Sequence, residues 1–390
     1  MTNLLDYIKW RGDLSFEQDP FNEIDALLFA SMAYVDFSGI IPEDGDITLA
    51  DVADIYYQIH SQEELDSDKT FFRFSHVLLK EASQVRRYMN LTLSNFVDHT
   101  DPASLIQFAV VTVRISPDEI FIAFRGTDDT IVGWKEDFYL SYMTVSSEEE
   151  AVEYLRNTEA GKADRIMMGG HSKGGHLAIH AALNVEEEIQ DRVTAIYDFD
   201  GPGFNDEVRE TEGFDKIGHV INRYIPENSI IGRLLSDTAV PHIVFSCEKG
   251  VLQHDPVSWA IEGKKFLLLE KPSIASDVFD ETLTSWLKDM SLEEKKQFID
   301  DLFAVLEASG ETKVTAISKV NLLEVKAMLD KMHSLRRDSQ KVIRNLIRLF
   351  IDNWGEAIAV SRSLSDGKTP LRLFIAAKRK QNEIAKEDKA

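Results

Sequence analysis

Cysteine and long apolar runs are almost absent from this chain. Cys247 is the only cysteine among 390 residues, so an intrachain disulfide is impossible and a cysteine-based zinc or iron–sulfur site is disfavoured. No segment approaches the roughly 20 uninterrupted apolar residues that a membrane-spanning helix requires. The first residues mix acidic with apolar side chains, which is not the pattern of a signal peptide. These absences predict a soluble cytoplasmic protein without an integral membrane segment.

Basic side chains are also few relative to acidic ones. The chain has 43 Lys and Arg against 67 Asp and Glu, a net charge of −24. Because binding to phosphates requires a basic face, this balance argues against a nucleic-acid partner and against adsorption to anionic lipid. Residues 1–270 hold 22 basic and 48 acidic side chains, whereas residues 271–390 hold 21 and 19. The change predicts a first domain over residues 1–270 and a separate helical region over residues 271–390.

The periodicity of apolar residues alternates between helical and extended patterns. Helical spacing covers residues 21–34, 49–59, 173–183, 276–290, 291–306 and 321–351. Runs rich in strand-forming residues cover 107–124, with a turn at 116–118, and then 165–169, 193–199, 217–225 and 242–246. Strands that alternate with helices indicate an α/β fold with a mostly parallel central sheet. N-terminal helices and a C-terminal helical extension flank it.

The most specific motif is Gly170-x-Ser172-x-Gly174. It follows the apolar strand 165–169 and precedes an amphipathic helix, which is the context of a nucleophile elbow in a serine hydrolase. The chain must turn sharply there and hold the serine in a strained conformation, so larger side chains at the two glycines would collide with the turn. This context predicts Ser172 as a catalytic nucleophile.

A serine that attacks acyl groups also needs backbone donors for the negatively charged oxygen that develops. The residue after the nucleophile, Lys173, provides one N–H group. A loop after an earlier strand must provide the other, and Thr127 follows the predicted strand that ends at Phe124. Thr127 and Lys173 are therefore the candidate oxyanion donors, and the Lys173 side chain is expected to point toward solvent or an acid.

At this point the chain resembles a known group of enzymes, the class 3 (fungal-type) lipases of the α/β-hydrolase superfamily. Within them it is similar to the bacterial, lipase-like Mbeg1-like family over roughly Asn3 to Trp259. The resemblance rests on the segments Phe124–Thr127 with Trp134 and Asp137, Gly170–Gly175, Asp200–Phe204, Asn3–Tyr7, Phe21–Asp25 and Gln253–Asp255. It implies an α/β-hydrolase fold and an oxyanion role for Thr127, whose hydroxyl is supported by the Asp137 carboxylate. It also puts residues 128–146, with Trp134, Phe138, Tyr139, Tyr142 and Met143, in the position of the lipase lid, although apolar residues in such a segment more often belong to a core-facing helix.

The general base is predicted from chain order, which in this fold runs serine, acid, histidine. His254 lies in a loop after the last predicted strand of the sheet, 82 residues beyond Ser172. His176 and His180 lie one and two turns along the helix that follows Ser172, where their side chains point away from its hydroxyl. Position and resemblance together favour His254 as the base.

The triad acid is the position at which the chain departs from the lipase pattern. Lipases carry an aspartate just after the strand that ends here at Ile225, but this chain continues Pro226-Glu227-Asn228-Ser229, and an alignment can put Ser229 on the acid position. Glu227 is the nearest carboxylate and is the first choice. Asp200 and Asp237 are the alternatives.

These residues predict a serine hydrolase that cleaves carboxylic esters through an acyl-enzyme. The substrate is a small-molecule acyl ester or, from the resemblance, a lipid-like ester. The reaction requires neither a metal nor an organic cofactor. Two alternatives remain open: a thioesterase or amidase with the same machinery, and a lipase-like scaffold that has lost turnover and binds a partner through its basic C-terminal helices.

Overall fold

The computed structural model describes residues 2–350 apart from 68–73, 102–105, 129, 141–145, 158–162, 205–207, 209–210, 235–237, 274–289 and 318–319. The chain divides into two compact units, Met1–Ile299 and Asp300–Ala390. The division lies inside a helix and later than residue 271, where the charge balance changes, so the composition-based boundary stays a prediction. The predicted helix over residues 276–290 falls almost wholly outside the described residues.

The first unit contains a mixed nine-stranded sheet within the described residues. Its strands are β1 Ile47–Thr48, β2 Thr92–Asp101, β3 Ile106–Ser116, β4 Glu119–Phe124, β5 Arg165–His171, β6 Val193–Phe199, β7 Ile221–Pro226, β8 His242–Val244 and β11 Leu268–Leu269, in that spatial order. Strands β1 to β4 pair antiparallel, β4 to β8 pair parallel, and β11 returns antiparallel to β8. A separate antiparallel pair is formed by β9 Ile261–Glu262 and β10 Lys265–Phe266.

Helices cover both faces of this sheet. In the first unit they are α1 Leu4–Arg11, α2 Glu23–Met32, α3 Leu49–Ile59, α4 Gln62–Ser67, α5 Ser75–Ser83, α6 Ile131–Leu140, α7 Ser146–Asn157, α8 Lys173–Asn184, α9 Glu187–Gln190 and α10 Glu212–Ile217. Short polar side chains set their starts: Asn3 before α1 and Asn22 before α2 each form a reciprocal capping box with an aspartate three residues later.

Most predicted elements are confirmed, with differences at their ends. The hairpin over residues 107–124 and the strand over 193–199 occur as expected. The strand predicted over 217–225 begins only at Ile221, because the preceding residues form the end of α10 and a 3₁₀ turn. Strand β2 was not predicted from the sequence pattern; its sequence, TLSNFVDHTD, has few apolar residues, so its pairing with β3 is a tertiary effect.

Successive side chains of the strands point to opposite faces of the sheet, and each face packs into its own hydrophobic core. Residues Ile120 and Ile122 of β4 pack with α7 and α8, whereas Phe121 and Ala123 pack with the N-terminal helices. When parallel strands follow one another in spatial order, right-handed crossovers put their connecting helices on one face. The other face is then left for helices from elsewhere in the chain, and α1, α2, α3 and α5 cover it.

The second unit, as far as residue 350, is helical. It includes the end of α11 Leu292–Glu307, then α12 Val314–Ile317, α13 Leu322–His333 and α14 Arg337–Phe350. The single helix predicted over residues 321–351 is therefore two helices, with the break at Ser334–Arg336. Apolar side chains such as Phe303, Met328 and Ile343 are buried in this unit. Within the described part of the chain, no helix has the length and apolar character needed to cross a membrane.

A buried ion pair joins α2 to the segment that follows α5. Arg87 donates to Asp25 through Nε at 2.8 Å and Nη2 at 2.6 Å, and both side chains are fully buried. Tyr88 donates to the same carboxylate at 2.6 Å. The remaining guanidinium hydrogens reach the carbonyl oxygens of Leu14, Asp19 and Pro20. Every charged group is thus paired, and removing one partner would leave the other charge buried alone.

The substitution Arg87→Met is expected to lower the free energy of unfolding by about 3–5 kcal/mol, because the Asp25 carboxylate would stay buried without its counter-ion. Arg156→Met is the matched control. Arg156 pairs with Glu186 at 3.0 Å, and both side chains are largely exposed, so this change should cost at most about 1 kcal/mol. Urea unfolding measures both, and equal losses in the two variants would contradict the importance of the buried pair.

Candidate active site

Ser172 lies between the end of β5 and the start of α8. Its backbone has φ 56° and ψ −132°, a left-handed conformation that side chains other than glycine rarely adopt. The turn holds its N–H group against the carbonyl oxygen of Phe199 at 2.9 Å. The strain aims the hydroxyl away from the helix and toward the carboxyl edge of the sheet, where parallel strands place functional groups.

The glycines on either side of Ser172 are required by close backbone packing. A Cβ at Gly170 would collide with the carbonyl oxygen of Phe124 and with the backbone of Gly174. A Cβ at Gly174 would collide with the same Phe124 carbonyl. Helix α8 can therefore pass directly over β4 and β5 only because both positions lack side chains.

His254 and Asp200 form a hydrogen-bonded line with Ser172. The His254 Nε2 atom lies 3.0 Å from Ser172 Oγ, and its Nδ1 atom lies 2.6 Å from Asp200 Oδ2. His254 ends a 3₁₀ turn, Gly250–His254, and Asp200 directly follows β6 with φ 58°. Asp200 Oδ1 accepts from the Ser229 hydroxyl at 2.5 Å and from the Gly232 N–H at 3.2 Å. Both carboxylate oxygens of Asp200 are thus engaged.

The first choice for the acid from sequence, Glu227, lies elsewhere. Its Oε1 atom accepts from Gln253 Nε2 at 3.2 Å, and Asp200 takes the position beside His254. The difference has a topological cause: the aspartate comes from the end of β6 rather than from the end of β7. Ser229, which an alignment can put on the acid position, instead donates to the aspartate. Asp237, the other alternative, lies outside the described residues.

Burial shifts the pKa values of the two ionisable groups that are hydrogen-bonded in line with Ser172. Desolvation raises the pKa of the Asp200 carboxyl to about 7, although its hydrogen bonds from Ser229 and Gly232 act in the opposite direction. Burial also lowers the pKa of the His254 imidazole to about 3. The imidazole is therefore neutral at neutral pH, which is the form that accepts a proton from a hydroxyl.

The candidate oxyanion residues flank Ser172. Thr127 follows β4 in a loop that passes so close to Ser172 that a Cβ on Gly126 would lie 3.1 Å from the serine Cβ. The Thr127 hydroxyl donates to Asp137 Oδ1 at 2.5 Å, and both side chains are buried. Lys173 begins α8 directly after the serine. It is only 2% exposed, so the Lys173 side chain does not point into solvent, and the other expectation, that it points toward an acid, stays a prediction.

Helix α6 covers the site. The Trp134 ring meets the His254 ring edge-on at a centroid distance of 5.2 Å, and Trp134 and Phe138 are buried. Tyr142 and Met143, also predicted in this segment, lie outside the described residues. Ser172 is 2% exposed and His254 5% exposed, so the site is closed. A cavity of only about 10 Å³, roughly the space that one water molecule needs, adjoins it and is lined by Trp134, Asp200, Asn228, Ser229, Ile230, Ile231, Gly250 and His254.

Two further residues support His254, and sequence reasoning missed them. The His171 Nε2 atom lies 2.7 Å from the backbone carbonyl oxygen of His254, and its Nδ1 atom lies 3.1 Å from the Tyr34 hydroxyl. Burial holds the pKa of His171 well below its usual value, so the ring is neutral. Since Nε2 then donates to the carbonyl, Nδ1 accepts from the tyrosine. His171 stands in the serine motif, but no sequence signal marks Tyr34.

The sequence matches the model of one protein family, the Mbeg1-like family. The match covers residues 82–304, which is more than half of the chain. The chain belongs to the Mbeg1-like family. The predicted resemblance is thereby confirmed, although the match begins later than Asn3 and extends beyond Trp259. Tyr34 and Asp25 of this Mbeg1-like chain precede the matched region.

The similarity of this chain to solved structures is weaker. The crystal structure of M37 lipase is similar to this Mbeg1-like chain with a TM-score of 0.32 and 19% identity, covering 55% of this chain and 70% of the lipase. A TM-score this low does not decide the fold. The comparison with curated proteins found no match.

The strained backbone at Ser172 is expected to affect the free energy of unfolding, which two substitutions can test. Ser172→Gly relieves a backbone strain of about 1–3 kcal/mol, whereas Ser172→Ala keeps it. Because glycine loses about 0.5–1 kcal/mol more entropy on folding than alanine, the glycine variant should be more stable than the alanine variant by about 1 kcal/mol. Urea unfolding of both variants measures this difference. An alanine variant that is as stable as the glycine variant would contradict the strained elbow.

Proposed function

We propose that this protein is a serine hydrolase of the α/β-hydrolase type that cleaves carboxylic esters. One observation carries the proposal: Asp200, His254 and Ser172 form an unbroken hydrogen-bonded line that ends on a strained serine. A binding protein has no need to keep a nucleophile in such a conformation, since strain without a reaction only lowers stability. The family match and the serine motif also support the hydrolase.

The proposed reaction begins with proton transfer. His254 Nε2 accepts the Ser172 hydroxyl proton as Oγ attacks the acyl carbon, and the carbonyl π electrons move to oxygen. The tetrahedral intermediate collapses when the carbon–oxygen bond to the alcohol breaks and His254 returns the proton to that alcohol. Water then attacks the acyl-enzyme with the same base, and the carboxylic acid leaves as Ser172 regains its proton.

The other residues stabilise charge during these steps. Asp200 holds the His254 tautomer with its proton on Nδ1 and stabilises the imidazolium that forms transiently. The backbone N–H groups of Thr127 and Lys173 are the proposed donors to the oxyanion. Asp137, bonded to the Thr127 hydroxyl, keeps that loop in place. Each of these groups is buried, so its interaction is weakened little by water.

The surroundings of the serine are closed, so that an ester reaches it only when the covering helix α6 moves. The adjoining cavity of about 10 Å³ is lined partly by Trp134, Ile230 and Ile231, apolar side chains that suit an uncharged acyl group once the site opens. Because this cavity holds no more than about one water molecule, even a short ester requires the helix to move. The net charge of −24 disfavours anionic surfaces, so a monomeric ester is the proposed substrate rather than an anionic bilayer. Thioesters and amides share the mechanism, and a series of leaving groups on one acyl chain distinguishes them.

Labelling with a fluorophosphonate probe tests the nucleophile, and substitution tests the acid. The wild type should be labelled and Ser172→Ala should not. On short-chain nitrophenyl esters, Asp200→Asn should lower kcat about 10⁴-fold because the histidine tautomer is lost. Glu227→Gln, the matched control, keeps its hydrogen-bonding ability and should change kcat less than tenfold. An unlabelled wild type would refute the hydrolase, and full activity of Asp200→Asn would refute the acid.

The pH dependence follows from the buried carboxyl. The active form has Asp200 ionised and His254 neutral, so it arises by loss of a proton from the pair. Because burial raises the pKa of Asp200 to about 7, kcat/KM should be constant above that pH and fall with decreasing pH below it. The rate of fluorophosphonate labelling should follow the same profile, and Glu227→Gln should not alter it. A flat profile across mildly acidic and mildly basic pH would contradict this assignment.

A further inference from the structure

A second group of titratable side chains lies where helices α7 and α8 pack against each other. Glu148 comes from α7, and His176 and His180 come from successive turns of α8. One potential ligand atom from each residue lies within 4.8 Å of the others. His176 Nε2 and His180 Nδ1 approach the same oxygen, Glu148 Oε1, at 2.9 and 3.0 Å. Glu148 and His176 are buried and His180 is 18% exposed through its side chain.

The hydrogen bonds of His176 require a cation at this point. Its Nδ1 atom lies 3.2 Å from the carbonyl oxygens of Pro202 and Gly203, which can only accept, so this nitrogen carries the proton. In a neutral ring the Nε2 atom then presents a lone pair to the Glu148 carboxylate. Two lone pairs facing each other repel, unless a proton or a metal ion lies between them. A histidine held by a carbonyl on one nitrogen, with the other nitrogen toward a metal, is the usual arrangement in metal sites.

The spacing is close to that of a zinc site. Zinc binds imidazole nitrogen and carboxylate oxygen at about 2.0–2.2 Å, so in a tetrahedron the ligand atoms are about 3.3 Å apart. The two nitrogen–oxygen distances of 2.9 and 3.0 Å need to open by only a few tenths of an ångström.

The surroundings leave room for one further ligand. His180 lines an open groove with Ser146, Glu149, Glu153 and Asn184. The buried side of the cluster is closed by Phe204, whose ring stacks on His176 at a centroid distance of 4.0 Å. Three protein ligands with access from one side suit a borderline divalent ion with water in the fourth position.

We propose that Glu148, His176 and His180 bind one zinc ion, with a water molecule from the groove as its fourth ligand. The ion would join α7 to α8 and, through His176, to the loop that follows Asp200. It therefore stabilises the backbone on which Ser172 and Asp200 stand and takes no part in the ester chemistry. The site stands whether or not the protein is a hydrolase.

Calorimetric titration of the full-length protein, freed of metal with a chelator, tests the site. Zinc chloride should bind with a stoichiometry of one, magnesium chloride should not, and zinc should raise Tm by mass action. Cobalt(II) should give the intense visible absorption of a tetrahedral complex. His180→Ala and Glu148→Gln should weaken zinc binding by at least about 100-fold, since each removes a direct ligand.

The control variant is His60→Ala, which removes a partly exposed histidine paired with Glu64 at 3.2 Å. It should bind zinc like the wild type. His180 is partly exposed, so His180→Ala can fold even where a change at buried His176 does not, and circular dichroism verifies this. The proposal is overturned if the wild type binds no zinc, or if His180→Ala and Glu148→Gln bind it as tightly as His60→Ala; a protonated histidine then occupies the place assigned to the metal.

Discussion

The contact between His254 Nδ1 and Asp200 Oδ2, 2.6 Å long, is the interaction on which the geometry of the site depends. It joins a turn after β8 to the end of β6, across a sheet whose central strands run parallel. Because parallel strands bring their carboxyl ends to one edge, residues more than 50 positions apart in sequence can meet there. Ser172 reaches the same edge from β5. Ser172 and Asp200 both have positive φ, so two adjacent strands end in strained turns that aim side chains at one point.

This arrangement carries a cost in electrostatic free energy. Asp200 and His254 are buried, and desolvation raises the pKa of the one and lowers the pKa of the other. The surrounding structure compensates through hydrogen bonds from Ser229 and Gly232 to the carboxylate. On the opposite side, His171 and Tyr34 hold the His254 backbone. The N-terminal helices thus contribute directly to the site as well as covering one face of the sheet, and the buried Arg87–Asp25 pair fixes those helices in turn.

Helix α8 carries residues of both proposed sites, and its 3.6-residue period separates them. Its first turn follows Ser172, and its next two turns present His176 and His180 toward Glu148. From the sequence, these histidines are only poor candidates for the general base. In the structure their separation by one turn places both on one face, against a glutamate from α7 and the loop after Asp200. The proposed zinc site and the proposed triad therefore share a backbone without sharing a ligand.

The sequence alone determined the local features. Apolar periodicity set most helices and strands, and the glycines around Ser172 identified the strand-to-helix turn, because only residues without a Cβ permit that close approach. Chain order after the serine, together with the resemblance to the lipases, favoured His254. The tertiary structure alone decided that Asp200 and not Glu227 meets this histidine, that Tyr34 supports it and that Lys173 is buried. These facts depend on how strand ends and distant helices come together in space, and no pattern of neighbouring residues carries that information.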